Sequence, residues 1–218
     1  MLVLALDAST YAGSVALIRD DIVVGQSVVA MRGEHEERLM PAIVTVLADH
    51  SIQVAQLDAV ACGAGPGSFT SLRIAASIAK GLCAAREIPL LVAPSTLLTV
   101  SAADPPLPPG RYVAALDAMR GDFFCQDVDV DSLGVLRPGD SSRTTRAVLE
   151  DHAAARGARI VGPSESPALV PHARAFARLI TLGMARPVEM TTWEPDYGRK
   201  AEAQVRWEAA HGRELDGD

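Results

Sequence analysis

A hexapeptide that occurs twice, about half a chain apart, constrains this sequence more than any other feature. Val3-Leu-Ala-Leu-Asp7-Ala8 returns as Val113-Ala-Ala-Leu-Asp117-Ala118, identical at five of six positions with an offset of 110. Short continuous apolar runs read as strands buried on both faces. After the first copy, the stretch from Asp7 to Gly13 has turn chemistry. Ser14–Ile18 is a second strand, and Arg19-Asp-Asp21 leads tightly into a third at Ile22–Ala30. After the second copy the order repeats. A turn at Arg120-Gly121 precedes a strand at Phe123–Val130, a short strand near Gly134–Arg137, a helix near Thr144–Arg156 and a strand at Arg159–Val161. Gly162-Pro163 there echoes Gly65-Pro66. The pattern predicts α/β architecture built from tandem duplicated β-β-β-α-β-α lobes.

Two helices follow the opening strands of the first copy. From Glu34 to His50, Leu39, Ile43 and Leu47 form an apolar stripe flanked by Met40 and Val44, with Arg38, Thr45 and Asp49 opposite. Pro41 falls inside this span, where a proline costs about 3 kcal/mol. The helix therefore kinks there or begins near it. A buried strand at Ala59–Gly63 runs through Gly65-Pro-Gly-Ser-Phe-Thr70 into a second helix that ends near Arg86. Its Ser71, Ala75, Ala76, Ser77, Ala79 and Gly81 permit close approach of another helix. A strand at Leu90–Ala93 and a helix at Ser95–Ala102, capped by Ser95, complete this half. Asp104-Pro-Pro-Leu-Pro-Pro-Gly110 stops regular structure. It divides the chain into an N-terminal lobe, 1–105, and a smaller C-terminal lobe, 106–218, with a last helix near Pro171–Gly183 and a polar, acidic tail from Glu208.

Charge narrows the function. A net charge of −7 and a pI near 5.2 argue against an unaided grip on nucleic acid, whose phosphates call for a basic face. Cys62, Cys83 and Cys125 form no C-x-x-C pair, lie in apolar runs, and read as buried thiols of a reducing compartment. The opening apolar run is six residues long, lacks a basic flank and ends at Asp7. It reads as a strand rather than a signal peptide or membrane span, and a cytoplasmic protein is expected.

Three constellations carry possible chemistry. Asp7, Ser9 and Thr10 form the turn after the first strand, where they either satisfy turn amides or contact a bound nucleotide. Gly65–Thr70 precedes a helix N-terminus, a natural anion site, yet it lacks the Gly-Lys-Ser/Thr of a P-loop and the G-x-G-x-x-G spacing. Capping by Ser68, an unusual φ at Gly67 and a partner contact through Phe69 are expected in place of phosphate binding. The five histidines have no ligand-spaced companion: His35 is followed four residues later by Leu39, so no metal site is expected. No nucleophile–base set can be argued from spacing.

Gly65-Pro-Gly-Ser-Phe-Thr-Ser-Leu-Arg-Ile74, continued by Ala79-Lys-Gly-Leu82, resembles the G-P-G-S-F-T-G-L-R-I-G…A-K-G-L signature of the TsaB family. Arg32-Gly-Glu-His35-Glu-Glu-Arg-Leu39-Met40-Pro41 is similar to that family's R-x-H-S-E-x-L-L-P helix start. Glu194-Pro195-Asp-Tyr197-Gly-Arg199 is similar to its E-P-x-Y-x-R element. Ser71 and Ala75 replace family glycines, and Glu36 replaces a serine. The resemblance implies the actin, Hsp70 and sugar-kinase fold. It further implies a non-catalytic scaffold for TsaD, the transferase of tRNA threonylcarbamoyladenosine modification, whose metal-binding His-x-x-x-His this chain lacks. TsaE as an ATPase partner, a homodimer and contact with tRNA only through the complex are implied too. No cofactor is expected, unless a nucleotide sits at the complex interface. The two early helices would form the partner face, with His35, Met40, Val44, Phe69, Leu72, Arg73 and Ala76 on it. The alternative is an active phosphotransferase or ATPase of the same fold, with Asp7 holding Mg²⁺ and nucleotide.

Overall fold

A computed structural model of the chain describes residues 1–31, 37–198, 207 and 210–212. Its elements run β1 (Leu2–Asp7), β2 (Ala12–Arg19), β3 (Ile22–Ala30), α1 (Leu39–Asp49), β4 (Ala59–Gly63), α2 (Phe69–Arg86), β5 (Leu90–Ala93) and α3 (Ser95–Ser101) in the first half. The second half holds β6 (Gly110–Met119), β7 (Asp122–Val130), β8 (Leu136–Thr145), α4 (Arg146–Arg156), β9 (Arg159–Val161), α5 (Phe176–Thr181) and β10 (Arg186–Val188).

The strands make two sheets, ordered β10-β5-β4-β1-β2-β3 and β8-β7-β6-β9. In the first, β1, β2 and β3 form an antiparallel meander, and β4 runs parallel to β1. In the second, β6, β7 and β8 form the same meander, and β9 runs parallel to β6. The repeated hexapeptide therefore marks a repeated sheet. It lies in β1 and β6, the strands about which each half is wound. Among the described residues the second half has no counterpart of β5. Instead β10 crosses back and pairs antiparallel with β5, adding an edge to the first sheet.

β1 is buried along its whole length, and its alternate residues face two different cores. Leu2, Leu4 and Leu6 pack with Val15 and Leu17, with Leu39, Ile43, Val46 and Leu47 of α1, and with Ala75, Ala79 and Cys83 of α2. Val3 and Ala5 face inward with Ala16 and Ile18. They share a core with Leu97 and Leu98 of α3, Tyr112 and Ala114 of β6, Val128 of β7, and Phe176 and Leu179 of α5. The two sheets thus close on one inner layer of small and branched side chains. No helix among the described residues is long and apolar enough to cross a membrane.

Four local expectations change. α1 begins at Leu39, so Pro41 falls in its first turn, where its missing N–H is not needed. β8 extends to Thr145 because an exposed edge strand needs no apolar alternation: almost all of it faces solvent. The last helix shrinks to α5, preceded by a 3₁₀ turn at Ala173–Ala175. Ser95 opens α3 without capping it, because its hydroxyl is engaged elsewhere.

Candidate functional site

Two surfaces gather the residues singled out in the sequence: the cleft between the sheets, and the outer face of α1 and α2. At the cleft, Asp7 ends β1 with no exposed surface. Its Oδ1 accepts from the Ser9 amide at 3.1 Å and the Ser9 hydroxyl at 2.8 Å, and its Oδ2 accepts from the Ser95 hydroxyl at 2.7 Å. The Ser95 oxygen in turn accepts from the Gly65 amide at 3.2 Å. Burial holds the Asp7 carboxyl above its usual range, against the hydrogen bonds from Ser95 and Ser9. The Thr10 hydroxyl bonds to the Ala12 backbone. Asp7 and Ser9 face inward, and this turn binds β1 to α3 and the glycine loop. Asp117, the second copy of Asp7, is exposed, and its Oδ1 accepts from the Met119 amide at 2.7 Å. The two turns share the same i to i+2 bond, but only the first is buried.

The glycine loop works by close approach. A β-carbon at Gly67 would come within 2.1 Å of the Ser9 carbonyl oxygen, and the positive φ of the loop belongs to Gly65, at +85°. Ser68 stands at the helix cap position but does not cap: its hydroxyl meets that of Ser71 at 3.0 Å. Phe124 of β7, a buried ring that the sequence reading did not single out, projects into the cleft and lines both of its cavities. One cavity, of about 290 Å³, is bounded by Gly65, Thr96, Gln126, Ser142 and Asp196. The other, of about 170 Å³, is bounded by Ser9, Thr10, Gly67, Asp117 and Pro163. The first lies at the lower end of the range of about 300–1,000 Å³ usual for small-molecule sites, and the second below it. No cluster of three or more His, Cys, Asp or Glu side chains suited to a metal occurs among the described residues. All three cysteines are free and buried, and burial pushes the Cys125 thiol up to about 11.

The outer face is assembled differently from the expectation. Met40 and Val44 stand out from α1, at 38% and 57% exposure. Arg73 is exposed on α2, with its guanidinium 4.8 Å from the centre of the Phe69 ring. Leu72 and Ala76 are buried, at 0% and 4% exposure, and cannot present a partner face. On the helix Leu72 falls on the side of the core residues Ala75, Ala79 and Cys83, and Ala76 at the border between that side and the stripe of Phe69 and Lys80. Phe69 is half-buried because Tyr197 lies against it, ring centres 4.4 Å apart. His35 lies outside the described residues. A shallow open groove runs along this face, lined by Glu37, Phe69, Thr70, Arg73, Ile74, Ser77 and Ile78. Tyr197 could have been suspected only from the E-P-x-Y motif, since nothing in the sequence says where that motif packs.

Comparison with known proteins agrees with this architecture. A family model described as TsaD, tRNA N6-adenosine threonylcarbamoyltransferase, matches residues 29–137, half of the chain. The tRNA threonylcarbamoyladenosine biosynthesis protein TsaB of Escherichia coli is 35% identical over 151 residues, 69% of this chain and 63% of that protein. Its namesake in Bacillus subtilis is 33% identical over 129 residues, covering 57% of this chain and 53% of the relative. The chain thus spans between about half and just under two thirds of the length of these two relatives. A Pseudomonas aeruginosa crystal structure, described as an uncharacterized protein with similarity to peptidase YEAZ, superposes with a TM-score of 0.77 at 26% identity. It covers 91% of this chain and 99% of that one. A second P. aeruginosa structure, described as YeaZ, superposes with a TM-score of 0.71 at 25% identity, covering 90% of this chain.

Two sheets wound alike about β1 and β6, closed on a shared inner layer, define a two-lobed α/β protein. The chain belongs to the TsaB family.

Proposed function

We propose that this chain serves tRNA threonylcarbamoyladenosine biosynthesis as a subunit that binds and activates a TsaD-type transferase without catalysing the transfer itself. The names of its relatives support the pathway. In this reading the transferase moves threonylcarbamoyl from its adenylate to N6 of the adenosine beside the anticodon in tRNAs reading ANN codons. TsaE joins for turnover, the chain also pairs with itself, and tRNA is met only through the complex. The acidic balance of the chain, −7, accords with the last point. The setting is the cytoplasm, and the chain needs no cofactor of its own.

The observation that carries this reading is the orientation of Asp7. In the phosphotransferase alternative this carboxylate would face the cleft and hold a metal-bound nucleotide. Here all three of its hydrogen bonds come from Ser9 and Ser95, and none of its surface is exposed. Phe124 divides the remaining space. The residues present do not suit a nucleotide in this cleft. What faces outward instead is Met40, Val44, Arg73 and the groove beside them, a surface suited to another helix pair.

The test is size exclusion with light scattering, using the purified chain and TsaD from the same organism. The wild type is expected to form a stable heterocomplex, and Val44→Glu and Arg73→Glu to weaken it at least tenfold. Separate elution of the two wild-type proteins at micromolar concentration would overturn the proposal.

A further inference from the structure

The Glu194-Pro195-Asp196-Tyr197 motif lies apart from the Asp7 turn and from α1, and it has a defined place at the edge of the cleft. From β10 the chain continues along α2. Glu194 Oε1 meets Lys80 Nζ at 2.9 Å, and that ammonium lies 5.7 Å from the centre of the Trp193 ring. Three residues on, Tyr197 packs on Phe69, and its hydroxyl donates to Glu194 Oε2 at 3.3 Å. Lys80 and Phe69 are three helical turns apart, about 16 Å along the axis, and Ala76 falls on the same stripe. At the far end the Asp196 amide donates to the Ala64 carbonyl at 2.7 Å. The Asp196 carbonyl lies so close to Gly65 that a β-carbon there would come within 2.1 Å of it. Gly198 rests on the Phe124 ring, where an added β-carbon would stand 2.2 Å from the ring edge. One segment of ten residues therefore touches α2, the loop after β4, and β7 of the second sheet.

We infer that residues 189–198 form a clamp across the cleft mouth, which holds the halves in one relative placement and positions Phe69 and Arg73 for docking. The docking part of this inference rests on the partner reading above. Phe69 is gripped by Tyr197 and Arg73 together, so its rotamer is set before a partner arrives. Freed of Tyr197, Phe69 and Arg73 would both have to be ordered on binding, which lowers affinity without removing any contact with the partner. Tyr197 is thus a positioning residue, and its ring matters more than its hydroxyl.

Two readouts on the full-length chain test this. Cleavage after Glu189 by a glutamate-specific protease reports clamp release in the chain alone, and calorimetric titration reports affinity for TsaD. Tyr197→Ala is expected to speed cleavage at least fivefold and weaken TsaD binding about tenfold. Tyr197→Phe keeps the stacked ring and is expected to stay within twofold of wild type in both. Glu194→Gln, at a residue whose side chain is 64% exposed, loosens the Lys80 end without touching the core. It guards against misfolding of Tyr197→Ala and is expected to shift both readouts in the same direction by a smaller factor. Faster cleavage with unchanged TsaD affinity would overturn the docking role, and unchanged cleavage in Tyr197→Ala would overturn the clamp. Failure of the wild type to bind TsaD would sink the partner reading and the docking role with it, while the cleavage result would still decide the clamp.

Discussion

Asp7 places a titratable carboxyl where water does not reach, and its titration follows from that. A carboxyl whose folded pKa lies above its unfolded value of about 3.9 favours folding while protonated, and that contribution is lost as pH rises through the folded value. Asp7→Asn has no proton to lose. Its amide oxygen can accept from Ser9, and its amino group can face the Ser95 oxygen. The melting temperature of Asp7→Asn relative to wild type is therefore expected to rise between pH 4 and pH 7. A difference that stays flat over that range, measured by circular dichroism, would show that the Ser9 and Ser95 hydrogen bonds fully offset the burial. None of this was legible at the level of residues. Asp7 and Asp117 hold the same place in two near-identical motifs, and only packing against α3 makes one buried and leaves the other in solvent.

Among the elements, α1 and α2 show how far periodicity reaches. The stripe of Leu39, Ile43 and Leu47 is core, as its spacing implies, and Met40 and Val44 are left outside. On α2 the small residues blurred the period, so Leu72 and Ala76 read as outward when they turn inward. A contrast in stability follows. Leu72→Ala should cost about 2–5 kcal/mol, as deletions of buried leucine do. Val44→Glu, at an exposed site, should stay within about 0.5 kcal/mol of wild type in urea denaturation. A Val44→Glu loss comparable to that of Leu72→Ala would mean that α1 packs differently from this description. The edges of the sheets were harder to read. β8 is polar and solvent-facing, and β10 is three residues long, so neither leaves a pattern to find.

At the scale of the whole molecule, the duplication was legible because the repeated hexapeptide lies in β1 and β6, where every one of its residues but Asp117 is buried and tolerates little variation in chemistry. Return of the chain to the first sheet through β10 was not, and neither was the clamp. Phe69 and Tyr197 meet across more than half of the sequence, a distance that local patterns do not span. These long-range contacts turn two wound sheets into one body, with a closed cleft and an outward-facing helix pair. In the proposed reading, that helix pair is the face another protein holds.

The central claim is that this body is needed for the tRNA modification through its outer face. The most direct measurement is the threonylcarbamoyladenosine content of tRNA from the host depleted of this chain, then supplied with the wild type or with Val44→Glu. The account predicts loss of the modified nucleoside on depletion, recovery with the wild type, and little recovery with a soluble, folded Val44→Glu. Undiminished modification in the depleted host would contradict it.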